Sequence, residues 1–153
     1  MQETLCYQIE ISATPQCIWR MLTEVDCYEK WAQVISPHST FKGQWRVGGE
    51  LVFSDAELGG SKVIIDEYIP NQSVEFHHVE MIMPLSMSNG DAIVNRTIVE
   101  QWIGSRERYQ LVVLENSVLL TITVTTHNAF SALFDSGWQQ ALPLIKQLCE
   151  SQE

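Results

Sequence analysis

Two adjacent pairs, His77-His78 and Asp66-Glu67, carry the side chains best suited to proton transfer. Histidine titrates near neutrality, and burial can raise a carboxylate toward it. Both pairs lie in segments with a two-residue period, where neighbours point to opposite faces of a strand. His77 and His78 therefore cannot serve one metal or one substrate together. If Phe76 faces the interior, so does His78, and His77 lies outside. His78 is then a polar contact for a ligand, a general acid/base, or simply a hydrogen-bonded strand histidine. The same alternation puts Val63, Ile65 and Glu67 on one face and Ile64 and Asp66 on the other. A partly buried Glu67 is the second acid/base candidate, and a solvated carboxylate near a strand end is its plainer reading. His38 and His127 stand at element ends and read as surface residues.

Other chemistries find little footing. The cysteines at 6, 17, 27 and 149 form no Cys-x-x-Cys pair, and no carboxylates cluster at ligand spacing, so no metal site is expected. No Gly-x-Ser-x-Gly elbow occurs, and Gly48-Gly49 and Gly59-Gly60 read as hairpin glycines rather than a phosphate loop. With 9 Lys plus Arg against 19 Asp plus Glu, the 153-residue chain has a formal charge of −10. That argues against nucleic acid and anionic membrane surfaces, both of which need clustered basic residues. No apolar run is long enough for a transmembrane helix. Met1 to Tyr7 carries an early Glu3 and no basic start, so no export signal is expected and the thiols are read as reduced, in a cytoplasmic protein.

The elements that must position these groups follow from periodicity. Leu5, Tyr7, Ile9 and Ile11 alternate in a half-buried strand over Thr4 to Ser12. Thr14 and Pro15 then cap a helix carrying Ile18, Trp19 and Leu22. Tyr28, Trp31, Ala32 and Ile35 mark a second short helix, ended by Ser36-Pro37. Phe41 to Val47 and Glu50 to Ser54 read as a hairpin, Leu58 to Ser61 as a turn, and Lys62 to Ile69 and Ser73 to Met81 as strands. Pro84 and Asn89-Gly90 punctuate Met83 to Gly104, the least regular stretch, in which Ile93 to Ile103 can be read as one more strand. Glu107 to Leu114 and Val118 to Thr126 form a hairpin. The last helix presents Phe130, Leu133, Phe134, Gly137, Ala141, Leu144, Ile145 and Leu148 on one face, and contains Pro143, which should bend it or interrupt one hydrogen bond. No repeat, linker or low-complexity run divides the chain, so residues 1–153 form one α+β domain.

Four stretches resemble a known superfamily. Ile9 to Trp19, with its Ala13-Thr14-Pro15 cap, Tyr28-Glu29-Lys30-Trp31, Val47 to Phe53 with Gly48-Gly49, and Phe134 to Trp138 running on to Lys146 are similar to the SRPBCC superfamily. This is also called the START or birch-allergen-like helix-grip fold. The closer likeness is to the branch named after the activator of the ninety-kilodalton heat-shock ATPase. The resemblance implies a curved antiparallel sheet wrapped on a long C-terminal helix, two short helices after the first strand, and a cavity between sheet and helix. Met83 to Gly104 resembles an enlarged connection.

Strand parity and the terminal stripe then place Trp31, Phe53, His78, Tyr109, Phe134 and Trp138 on the cavity wall. Met81, Met83 and Met87, with adaptable thioethers, read as part of a lid over an apolar ligand. The expected function is non-catalytic binding of a small hydrophobic or amphipathic molecule, without a cofactor. Two alternatives stand beside it: a cyclase/aromatase-type or dehydratase-type enzyme using His78 or Glu67, and a chaperone-associated interaction domain. For the last, the chain lacks the co-chaperone's additional N-terminal domain, so chaperone contact is not expected. Open strand edges leave room for a homodimer.

Overall fold

The structure, a computed structural model, describes residues 1–57, 59–82 and 92–151. It begins with strand β1 (Gln2–Ile11), whose inward side chains culminate in the fully buried Ile11. Thr14 caps helix α1 (Pro15–Thr23) as its composition predicts: its hydroxyl accepts from the Cys17 N–H at 3.1 Å, and Pro15 occupies the first turn. Glu24 is extended and breaks the chain into a second helix, α2 (Val25–Ala32). This helix stops at Ala32, short of the expected Ile35, which is 45% exposed.

Strands β2 (Thr40–Gly43), β3 (Glu50–Asp55), β4 (Gly59–Ile69) and β5 (Ser73–Ile82) follow, then helix α3 (Ala92–Trp102) and strands β6 (Arg106–Val113) and β7 (Val118–His127). A short 3₁₀ turn (Asn128–Phe130) leads into helix α4 (Ser131–Glu150). Among the described residues the strands form one antiparallel sheet in the order β1-β7-β6-β5-β4-β3-β2. Its concave face and α1, α2 and α4 enclose the core. Leu51, Val63, Ile65, Val74, Phe76, Leu120, Ile122 and Val124 on the sheet are almost wholly buried, as are Trp31, Ala141 and Ile145 on the helices.

Four sequence expectations need correction. Ile93 to Ile103 is not a strand: its β-branched residues suit one, but the segment folds as α3, with its last residue Trp102 buried. Phe41 to Val47 pairs only as far as Gly43, because Gln44 to Gly49 are taken up by the bend, where Gly48 donates to Ile65 O at 2.8 Å. Gly59 to Ser61 is not a turn but the start of β4. At Gly60 a Cβ would lie 1.9 Å from Phe53 O, so only glycine lets the two strands approach there. On α4 the buried stripe is Gly137, Trp138, Ala141, Leu142, Ile145 and Cys149, while Leu133 is 59% exposed. The helix continues through Pro143, which has no N–H to donate to the preceding turn.

Two irregularities set which side chains face inward. Between Ile65 and Glu67 the β4 register slips, because Asp66 has no partner on β5. Between Lys62 and Val63 the slip is on the other strand, at Val79. Each extra residue reverses the alternation beyond it.

Candidate functional site

A cavity of about 400 Å³ lies between the concave sheet, α2, α3 and α4. All six side chains expected on its wall are there: Trp31 from α2, Phe53 from β3, His78 from β5, Tyr109 from β6, and Phe134 and Trp138 from α4. The rings are mutually packed: Trp31 and Trp138 have centroids 5.8 Å apart, and Tyr109 meets Trp138 edge-on at 5.5 Å. Met81 also lines the cavity; Met83 and Met87 lie outside the described residues.

Sequence reasoning missed several contributors. Trp102, on the unexpected helix α3, stacks on Phe134 with centroids 5.5 Å apart and lies 4.6 Å from the His78 ring. Ser61 was assigned to a turn, but its place in β4 points it inward. Tyr28, expected only as part of a helical stripe, donates to or accepts from Ser39 Oγ at 3.0 Å. Glu107 is the buried carboxylate that faces His78, and its signal was legible: it precedes Tyr109 by two on a strand that alternates.

His78 is the centre of this polar wall, and His77 points out, as the alternation requires. The His78 main chain is held by α3's exit: its N–H donates to Ser105 O at 2.8 Å, and Gly104 N–H donates to its carbonyl at 2.9 Å. Its ring is 4% exposed, with Nδ1 2.6 Å from Ser61 Oγ and Nε2 2.7 Å from Glu107 Oε2. Ser61 Oγ has two more partners: it donates to Glu80 O at 3.0 Å and accepts from Trp102 Nε1 at 2.8 Å. A hydroxyl offers one proton and two lone pairs. The single Ser61 proton is shared between Glu80 O and His78 Nδ1, and the imidazole tautomer decides which of them receives it.

Glu67 is not part of the site, which corrects the acid/base expectation for it. The unpaired Asp66 turns Glu67 to the convex face, opposite Glu75, where Arg108 Nη1 approaches to 3.4 Å. Asp66 lies on that face too, 2.8 Å from His77 Nδ1 and 3.3 Å from Arg106 Nη1. A second buried carboxylate on the cavity wall, Asp55, accepts from Ser36 Oγ at 2.5 Å, His38 N–H at 2.9 Å and Glu57 N–H at 2.8 Å.

Two phenols respond to this environment. Burial, then Glu107 and Tyr28, push the Tyr109 hydroxyl well above its ordinary pKa. Burial pushes Tyr28 up to about 12, Ser39 opposing and Glu107 assisting. Among the described residues no three metal-ligating side chains gather, and no helix is long and apolar enough to cross a membrane.

No protein-family model matches the chain, and no curated protein does. Solved structures do. The solution structure of the Aha1 dimer from Colwellia psychrerythraea superposes with a TM-score of 0.72 at 23% identity, covering 97% of this chain and 96% of that one. Protein MLL2253 from Mesorhizobium loti gives 0.74 at 16% identity, over 99% of both chains. DynU16, from the dynemicin biosynthetic locus, gives 0.70 at 10% identity; the match spans 98% of this chain but 48% of that one. At such identities the likeness is one of fold. Helix α4 gripped by a curved antiparallel sheet, with α1 and α2 after the first strand, is the helix-grip fold, in the arrangement it shares with the Aha1 structure.

Proposed function

We propose that this protein binds a small, mostly apolar molecule in the cavity and releases it unchanged. The observation that carries this reading is the cavity itself: about 400 Å³, within the ordinary range for small-molecule sites, lined by stacked rings with a few buried polar groups on one wall. A filled interior would have favoured an interaction domain instead.

A connected Ser61–His78–Glu107 chain suggests acyl-transfer chemistry, but its hydrogen bonds argue against it. Ser61 Oγ is held by Glu80 O and Trp102 Nε1 as well as by His78 Nδ1, which fixes the hydroxyl in the wall. A network whose members satisfy one another is rigid, which suits a wall better than a proton shuttle.

The test is N-phenyl-1-naphthylamine titrated into the protein. One saturable site is expected, with energy transfer from Trp31, Trp102 and Trp138, which all border the cavity. No saturable binding, and no co-purified small molecule in a native mass spectrum, would refute the reading. Self-association belongs to the same proposal: among the described residues β1 pairs with β7 alone, leaving its other edge open for a second copy, and the Colwellia neighbour is a dimer. Light scattering on the eluting protein should give twice the chain mass.

A further inference from the structure

The polar wall of the cavity is one-sided in its chemistry. Its titratable groups are Asp55, His78, Glu107 and the phenols Tyr28 and Tyr109; among the described residues no lysine or arginine borders it. Residues 83–91 contain no lysine or arginine either. An anionic head would thus find no cation in this wall. Both His78 nitrogens are committed, to Ser61 and Glu107, so the ring has no N–H left for a ligand.

One acceptor is left over. Glu107 is 7% exposed, and its Oε2 is taken by His78 at 2.7 Å. Its other oxygen, Oε1, has no hydrogen-bond partner among the described residues, although the side chain borders the cavity. Whichever side of the pair holds the shared proton, Oε1 keeps its lone pairs: it is either a carbonyl oxygen or half of a carboxylate. Oε1 is not sealed off from the cavity, and a head group that takes the place of water there must bring an N–H or O–H to keep that hydrogen bond. Two residues along the same face of β6, the Tyr109 hydroxyl also has no hydrogen-bond partner among the described residues.

Resting on the ligand-binding reading above, we infer that the cavity selects molecules whose apolar body ends in a hydrogen-bond-donating, non-anionic head, an amine or a hydroxyl, which donates to Glu107 Oε1. Carboxylates such as free fatty acids are disfavoured, because their oxygens would oppose that same atom. The surrounding rings of Tyr28 and Tyr109 accept either head, and favour a cationic one through their faces.

The experiment is calorimetric titration at neutral pH with three probes sharing one body: naphthalen-2-ylmethylamine, naphthalen-2-ylmethanol and naphthalene-2-carboxylate. The amine and the alcohol should each bind at least tenfold more tightly than the carboxylate. In Glu107→Gln the amide oxygen can take the His78 contact and turn its NH₂ to the cavity, so the gap should close or reverse. The comparison on the unaltered protein stands by itself should that variant fold poorly. Carboxylate binding as tight as the other two would overturn the inference and leave ligand binding intact. Failure of all three to bind, while N-phenyl-1-naphthylamine binds, would also overturn it; failure of every probe would overturn ligand binding as well.

Discussion

Glu107 and His78 depend on each other more than either depends on a ligand. Together they are hydrogen-bonded; apart, each is a polar group with little access to water. His78→Ala removes the partner of Glu107 Oε2 and of Ser61, so unfolding in urea should show a loss of about 3 kcal/mol, the scale of breaking a buried pair from one side. A loss within the range of an exposed substitution would mean that water reaches the pair freely. The residue scale is also where the sequence was most deceptive. Phe76 and His78 share a face by simple parity, and that reading held. The same parity put Glu67 on the face of Val63 and Ile65, and that shared face ends at Ile65 because a single extra residue, Asp66, intervenes; the plainer reading of Glu67, a solvated carboxylate, is the one the structure shows. Nothing in Ile64-Ile65-Asp66-Glu67 announces a bulge, since either phase buries apolar side chains.

At the scale of elements, local chemistry was legible wherever the chain stabilises itself nearby. The Thr14 cap is an example: Thr14→Ala should cost about 1 kcal/mol, read as a lower urea midpoint. The Glu115-Asn116 hairpin and the terminal helix were equally visible, because their signals need no distant partner. Helix α3 was not. Its β-branched residues favour a strand in isolation, and what fixes it instead is tertiary: Trp102 anchors its end among Phe130, Phe134 and His78, with its indole N–H on Ser61. Trp102→Ala should therefore loosen α3 and the His78 wall together. In hydrogen exchange, the amides of Gly104 and His78, which lock the two segments, should lose protection jointly. Loss confined to α3 would show that the wall stands without it. At Gly60 any side chain meets Phe53 O, so Gly60→Ala should cost about 2 kcal/mol or more, within the upper range for single substitutions.

For the molecule as a whole, alkali should be more revealing than acid. Tyr7, where burial and Asp135 act together, and Tyr28 are both pushed up to about 12 from an ordinary 10. The folded chain then holds protons that the unfolded chain has released, so the stability they contribute is complete below about pH 10 and is lost as pH rises toward about 12. Urea midpoints should fall across that window, and Tyr28→Phe should reduce the fall. A flat profile would show that the phenols reach water in the folded protein.

The spare residue at Asp66 acts as a phase shifter for the far end of its strand. Beyond it, Tyr68 turns toward the helices, where its hydroxyl accepts the Trp19 indole N–H at 3.0 Å, and Glu67 is sent to meet Arg108. Were Asp66 paired in register like its neighbours, the two would exchange places, driving a carboxylate into the oil and pulling a phenol out to water. The core beside α1 thus owes an aromatic contact to a residue that points away from it.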